Sequence, residues 1–162
     1  MTTMILRVTH IGNIRNLVYM SLFIGALLLY NKERISFLWF GMSMGISAFV
    51  VPLTLKKTFL RARPTDGLLT RGGYSFPSGH TMGTLALYGL IIILAIIYLK
   101  KAWMRHTVIL TSLALILLIS WSRIHLGVHF FSDIIGSLFL GVALLIIAWL
   151  ILVYFVEKRQ GE

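Results

Sequence analysis

Three apolar stretches, residues 35–55, 81–99 and 134–156, run almost without a charge. Each matches the roughly 20 residues that an α-helix needs to cross the hydrocarbon core of a bilayer. Two shorter runs complete the pattern. Residues 17–30 reach spanning length when the polar Gly12-Asn13-Ile14-Arg15-Asn16 stretch forms a first turn in a headgroup layer, and residues 107–121 lie between a basic and a polar loop. The runs do not alternate strictly and exceed the ten or so residues of a barrel strand, which argues against strands. The expected fold is all-α: an integral membrane helical bundle of about five transmembrane helices, one domain over residues 1–162 with no internal repeat.

Lipid as solvent also explains the composition. Hydrophobic residues make up 58% and charged residues 12%, against roughly 45–50% and about 25% in an average soluble chain. A soluble domain of this size has no interior that could hide such a share. Fifteen Lys and Arg stand against five Asp and Glu, a formal net charge of +10. Because the cations sit between apolar runs, the fitting partners are membrane lipids and a phosphate-bearing substrate, with no nucleic acid. The absence of cysteine excludes disulfides, thiolate metal sites and a cysteine-phosphate intermediate. The first apolar run leads into Lys32-Glu33-Arg34 without a small-residue cleavage site, so no cleavable signal peptide is expected.

Five spans put the connections on alternating faces. One face receives the N-terminus, residues 56–79 and residues 122–132; the other receives residues 32–34, 100–106 and the tail 157–162. The raw count of Lys and Arg is eight on the first face and seven on the second. Setting aside Lys56, Arg63 and Arg123 as site residues leaves five against seven, which places the second face in the cytoplasm.

Polar residues cluster in three places, all on the first face. Lys56 and Arg63 are seven residues apart, two turns on one helical side, so both could address one anion. Arg offers a planar fork for phosphate oxygens and Lys a movable point charge; a basic helix end snorkelling to headgroups is the simpler alternative. The second cluster is Ser75-Phe76-Pro77-Ser78-Gly79-His80, directly before the third apolar run. Ser78 is a candidate N-cap, Gly79 permits close backbone approach, and the helix start is itself an anion site. His80 could donate a proton there, unless it is merely an interfacial histidine beside an ordinary cap. The third cluster holds Arg123, His129 and Asp133. His129 and Asp133 are four apart; a carboxylate on one imidazole nitrogen fixes the tautomer and leaves the other lone pair for attack. A structural His–Asp pair joining two helix ends fits the same spacing.

Three cations converging on two histidines and a carboxylate describe a phosphoryl-transfer site, with His129 attacking in line and His80 protonating the departing oxygen. Each bland alternative is common alone; all three on one face are not.

These residues resemble a known family. Lys56, six residues, Arg63-Pro64; then Pro77-Ser78-Gly79-His80; then Ser122-Arg123, five residues, His129, three more, Asp133: in this order they are similar to the tripartite signature of the type 2 phosphatidic acid phosphatase (PAP2) family. The resemblance implies a metal-independent, cofactor-free phosphatase with a phosphohistidine intermediate. It implies that Lys56, Arg63, Ser78, Gly79 and Arg123 hold the phosphate, with His80 as general acid, His129 as nucleophile and Asp133 as its orienting partner. Membrane members of the family usually have six spans, and Thr9-His10-Ile11-Gly12 resembles the lead-in to their second, so the usual first helix is expected to be missing here. His125 falls at a variable position and reads as structural or headgroup-facing; His10 and His106 receive no role.

A site flanked by spans suits a lipid-linked substrate, whose tail needs an apolar place to lie. Phosphatidic acid, phosphatidylglycerophosphate and a polyprenyl diphosphate are the candidates, with residues 66–73 shaping the headgroup pocket. A bacterial cell membrane with the site on its outer side is the expected location. A lipid phosphotransferase using the same site, or a transporter of anions or phospholipids, are the alternatives.

Overall fold

In a computed structural model the backbone is described for residues 2–69 and 72–160 and the side chains for residues 5–69 and 72–155. The 157–162 tail counted above, and Thr70 and Arg71 of the 66–73 loop, lie outside the described side chains. The described residues form seven α-helices and one π-helical segment, with no strand: α1 (Thr2–Ile11), α2 (Ile14–Tyr30), α3 (Arg34–Gly45), the π segment (Ile46–Val50), α4 (Val51–Phe59), α5 (Gly79–Tyr98), α6 (Ala102–His125) and α7 (Phe131–Gln160).

Four helical stretches are long and apolar enough to cross a membrane: Arg34–Phe59, Gly79–Tyr98, Ala102–His125 and Phe131–Phe155. A fifth forms if Ile5–Ile11 and Ile14–Tyr30, bent by 43° at their junction, count as one span. The stretch at residues 12–16 is therefore not a continuous first turn. Gly12 lies outside helix, Asn13 caps α2 in an extended conformation, and the helix begins only at Ile14. The span from Arg34 carries a π turn, in which the Val51 N–H reaches back to the Ile46 carbonyl, immediately before Pro52 at the start of α4. A proline ring pushes against the carbonyl four residues earlier, and one wider turn relieves it.

Helix α5 is the axis of the bundle. Its sequence is apolar or small on every side, the pattern of a helix surrounded by others, and residues Thr81 to Leu90 are all buried. Around it pack α2, α3, the π segment, α6 and α7. Leu87, Leu90, Phe40, Ile116 and Leu152 form the middle of the shared core. The outer faces stay apolar, with Phe139, Ile146, Leu150 and Tyr154 of α7 exposed, as lipid contact requires. Between helices in lipid the hydrophobic effect contributes little, so packing and a few interhelical hydrogen bonds must hold the bundle. Trp39 Nε1 donates to the buried Ala148 carbonyl at 2.7 Å. The Tyr98 hydroxyl donates to Glu33 at 3.0 Å and meets Ser36 Oγ at 2.7 Å. These last contacts tie the end of the bundle opposite the polar one, where α4 and α6 finish and α2, α5 and α7 begin.

Candidate active site

At that polar end the chain leaves α4 sharply. Leu60 adopts a left-handed conformation (φ 49°), a common helix stop, and Pro64 disfavours helix at the residue before it. Arg63 is therefore not on the helical side of Lys56, as the seven-residue spacing implies. It lies in an extended segment pinned by the Ser75 N–H donating to the Arg61 carbonyl at 2.8 Å. Lys56 Nζ donates to the Tyr74 carbonyl at 2.9 Å, bracing the same segment from the helix.

Arg63 reaches the turn between α6 and α7. Its Nη1 donates to the Val128 carbonyl at 2.7 Å and lies 3.2 Å from His129 Nε2. A guanidinium only donates, so Nε2 is the acceptor and the ring proton sits on Nδ1. Nδ1 faces Asp133 Oδ2 at 3.5 Å, an electrostatic pairing longer than a good hydrogen bond. His129 precedes α7 rather than lying on it, so helical stacking does not make this pair. The turn does: the Phe130 N–H donates to Asp133 Oδ2 at 3.0 Å, capping the helix with the carboxylate. Burial pushes the His129 imidazole down to about 2, helped by the positive charges of Arg63, Arg123 and Lys56, against a smaller opposing effect of the Ser75 backbone. The ring is neutral throughout the ordinary pH range.

Asp133 is completely buried, and its Oδ1 accepts from Arg61 Nη1 at 2.6 Å. Arg61 also donates to Ser132 Oγ at 2.9 Å and stacks over the Phe130 ring at 4.6 Å. This arginine received no role from sequence. The only hint was its place in a basic run, which did not reveal its partner.

The second cluster falls where expected. Ser78 caps α5, accepting from the Thr81 N–H at 3.4 Å and the Thr81 hydroxyl at 3.1 Å. Its own N–H donates to Ser137 Oγ at 2.8 Å, and that hydroxyl donates to the Asp133 carbonyl at 2.5 Å, so the cap and the start of α7 are joined. A Cβ on Gly79 would meet no atom within 4 Å; the space over its backbone opens into a cavity. His80 Nε2 meets Asn13 Oδ1 at 3.0 Å. Arg123 is buried, donating to Thr9 Oγ1 of α1 at 2.7 Å. His125 is exposed and lies against the Trp121 ring, centroids 5.1 Å apart.

The cavity, about 570 Å³, reaches Lys56 of the first cluster and Gly79 and His80 of the second, while Arg63, Arg123, His129 and Asp133 are not among its lining residues. Lys56, Gly79, His80 and Asn13 line its polar end, and Leu17, Ala48, Phe49, Pro52 and Leu53 its apolar flank between α2 and the π-helical span. Arg63, His129 and Asp133 thus touch one another. Lys56 and Arg123 act on His129 through their charge, and Lys56 shares the cavity wall with His80. Among the described residues no three His, Asp or Glu side chains gather as metal ligands would.

A helical membrane bundle that gathers cations around a buried, carboxylate-paired histidine, beside a cavity lined by a second histidine, has the make-up of a phosphatase-type enzyme of the membrane. The chain belongs to the PAP2 superfamily, whose family model matches residues 36–157. It is similar to phosphatidylglycerophosphatase B of Bacillus subtilis (strain 168), 28% identical over 144 residues that cover 85% of this chain and 68% of that protein. Among solved structures it resembles a transmembrane PAP2-type phosphatidylglycerolphosphate phosphatase from Bacillus subtilis. The TM-score is 0.81 with 26% identity, over 97% of this chain and 77% of the other. Aquifex aeolicus LpxE shares the fold, with a TM-score of 0.64 at 22% identity over 91% of this chain and 84% of that one.

Proposed function

We propose that this chain, acting as a single unit over residues 1–162, hydrolyses a phosphate monoester or diphosphate of a lipid through a phosphohistidine intermediate. Phosphatidylglycerophosphate is the leading substrate, in keeping with the name of the Bacillus relative, ahead of phosphatidic acid and polyprenyl diphosphates. The observation that carries the reading is His129: a buried neutral imidazole with Nε2 beside the Arg63 fork and Nδ1 beside a buried carboxylate. In the first step Arg63 moves its N–H from Nε2 to the phosphate oxygens, the freed Nε2 lone pair forms a bond to phosphorus as the bond to the lipid oxygen breaks, and His80 gives that oxygen its proton. In the second step water attacks phosphorus, His80 takes the water proton, and His129 departs with its electron pair. Asp133 faces the Nδ1 proton and stabilises the positive charge that builds on the ring. Lys56, Arg63 and Arg123, with Ser78 and the open backbone at Gly79, hold the phosphate oxygens. The acyl chains lie along the cavity flank at Leu17, Phe49 and Pro52. The site faces the outer side of a bacterial cell membrane.

Phosphotransfer to a second lipid would share the first step and differ only in what replaces water. Transport has less support: among the described residues the buried ionisable side chains are Arg123, His129 and Asp133, all at one end, and no buried charge continues toward the other. The test is phosphate release by the purified protein across a panel of lipid phosphates, beside His129→Ala. Release from at least one lipid, absent in the variant, is expected. Equal release by the variant, or transfer of phosphate to lipid without release, overturns the reading.

A further inference from the structure

The proposal above leaves one polar contact without a purpose. Asn13 occupies the N-cap position of α2 with extended backbone angles (φ −66°, ψ 142°), yet its side chain makes no capping hydrogen bond. Asparagine is among the preferred N-caps because its oxygen normally satisfies a free N–H of the first turn. Here that oxygen turns away from its own helix, to His80 Nε2 at 3.0 Å across a sequence separation of 67.

Each end of the Asn13 amide faces one imidazole. Asn13 Nδ2 meets His10 Nδ1 at 3.0 Å, and Asn16 Nδ2 donates to the His10 carbonyl at 2.7 Å. When His10 carries its proton on Nε2, its Nδ1 lone pair takes the amide NH₂ and the group presented to His80 is an acceptor. The break between α1 and α2 is shaped for this approach. A Cβ on Gly12 would stand 2.6 Å from Ile119 Cγ2, 3.1 Å from Thr84 Oγ1 and 3.5 Å from His80 Cδ2, so only glycine lets the junction press against α5 and α6. A local preference is thus given up, and a close packing adopted, to bring one carbonyl oxygen to one imidazole.

We propose that Asn13 is a positioning residue for the acid–base histidine, an inference that rests on the role of His80 proposed above. By accepting the Nε2 proton it holds that proton in place through both steps, fixes the ring plane, and assigns to Nδ1 the proton that passes to the leaving oxygen. His10 acts one step further back, its ring meeting the Asn13 Nδ2. Loss of this acceptor removes one of the contacts that set the tautomer and plane of the ring, so a smaller part of the time would present a proton correctly.

The readout that separates this from a structural role is leaving-group dependence. An alkoxide leaving group needs a proton, whereas 4-nitrophenolate departs without one. The quantity to compare is kcat/KM, which reports steps up to formation of the phosphoenzyme. Asn13→Ala should lower kcat/KM on a lipid phosphate monoester by about 10- to 100-fold, a part of the ~10²–10⁴ that general acid catalysis supplies. On 4-nitrophenyl phosphate it should change by less than about threefold. Asn13→Asp keeps the acceptor and should recover most of the lipid activity, which also covers the case in which the alanine variant folds poorly. Equal losses on both substrates, no loss on the lipid, or an aspartate variant no better than alanine would each overturn the proposal. His80→Ala is measured alongside. If it too keeps lipid turnover, the assignment of His80 as acid fails and this inference with it; if it loses turnover while Asn13→Ala does not, this inference fails alone.

Discussion

Two glycines in backbone contact set the distance between Arg63 and His129. Gly127 turns the chain between α6 and α7 at φ 65°, and Gly67 lies against it from the loop after α4. A Cβ on Gly67 would sit 2.4 Å from the Gly127 carbonyl oxygen, and one on Gly127 would sit 2.5 Å from Gly67 Cα. Neither neighbour is a side chain that could rotate aside, so relief means moving one backbone off the other by ~1 Å, and displacements of that size at a catalytic site cost about 10²-fold. Arg63 bridges this joint, bonded at 2.7 Å to the carbonyl of Val128, the residue after Gly127. Gly67→Ala should therefore reduce kcat/KM for phosphate release about 100-fold, or ~2.7 kcal/mol of transition-state stabilisation, while the detergent-solubilised protein still melts cooperatively. Gly127→Ala should do the same and lose about 1 kcal/mol more stability, because it also forces alanine into a left-handed backbone. Comparing the two variants isolates the spacing from the backbone strain. A Gly67→Ala enzyme within threefold of the parent would refute the claim that this contact sets the site.

Other expectations can be checked on the same preparation. His129→Ala should lower turnover by at least ~10³-fold, as removal of a nucleophile does, with the melting temperature and helical circular dichroism retained. Arg61→Ala should cost about 1–2 kcal/mol in thermal unfolding, between the values for exposed and fully buried ion pairs, and about tenfold in kcat; Arg61→Lys should recover part of both. EDTA should leave phosphate release nearly unchanged, and orthovanadate, a mimic of five-coordinate phosphorus, should inhibit at low concentration. The free protein should also lose stability in acid. Between pH 6.5 and about 2 the unfolded chain protonates His129 and the folded one does not, so stability rises with pH through that window and levels off above 6.5. His129→Gln should flatten the melting temperature between pH 7 and 4 relative to the parent.

The parts of this protein that show in its sequence are those whose cause is local. A serine before a long apolar run is a cap wherever the chain goes next, so Ser78 and the start of α5 are legible. The ends of spans are less so. α6 runs Ala102–His125, well beyond the apolar residues 107–121, because polar side chains in a headgroup layer are good helix residues that read as loop. The spacing between Lys56 and Arg63 argues for a helix that Leu60 and Pro64 end, and the two cations instead meet the site from separate supports. Hydrogen-bonded pairs distant in sequence leave no trace at all. Arg61 and Asp133 are separated by 72 positions and Asn13 and His80 by 67. Asn13 does stand at the N-cap of α2, but its side chain serves a partner on another helix, which no local pattern announces.

The same charges explain both why His129 stays neutral and why a phosphate should bind beside it. Burial comes first in holding the ring deprotonated, and Arg63, Arg123 and Lys56 add to it. In the proposed role of nucleophile, a ring kept neutral in this way needs no base to remove a proton from Nε2 before the substrate arrives. A bound phosphate dianion would cancel much of that positive field, and an opposite charge at this range moves a pKa by about 1–3 units. Binding should therefore raise the affinity of His129 for a proton, the direction that stabilises an imidazole as it takes on positive charge while bonding to phosphorus. Histidine-labelled protein, with the His129 signal assigned by its absence in His129→Gln, can be titrated by NMR with and without saturating inorganic phosphate. The free ring should remain neutral to at least pH 4, and the apparent pKa should climb by a unit or more when phosphate is present. Bound phosphate that leaves the His129 titration unmoved would mean that the three cations and the imidazole do not share one anion, and the reading of this pocket as a phosphoryl-transfer site would lose its electrostatic basis.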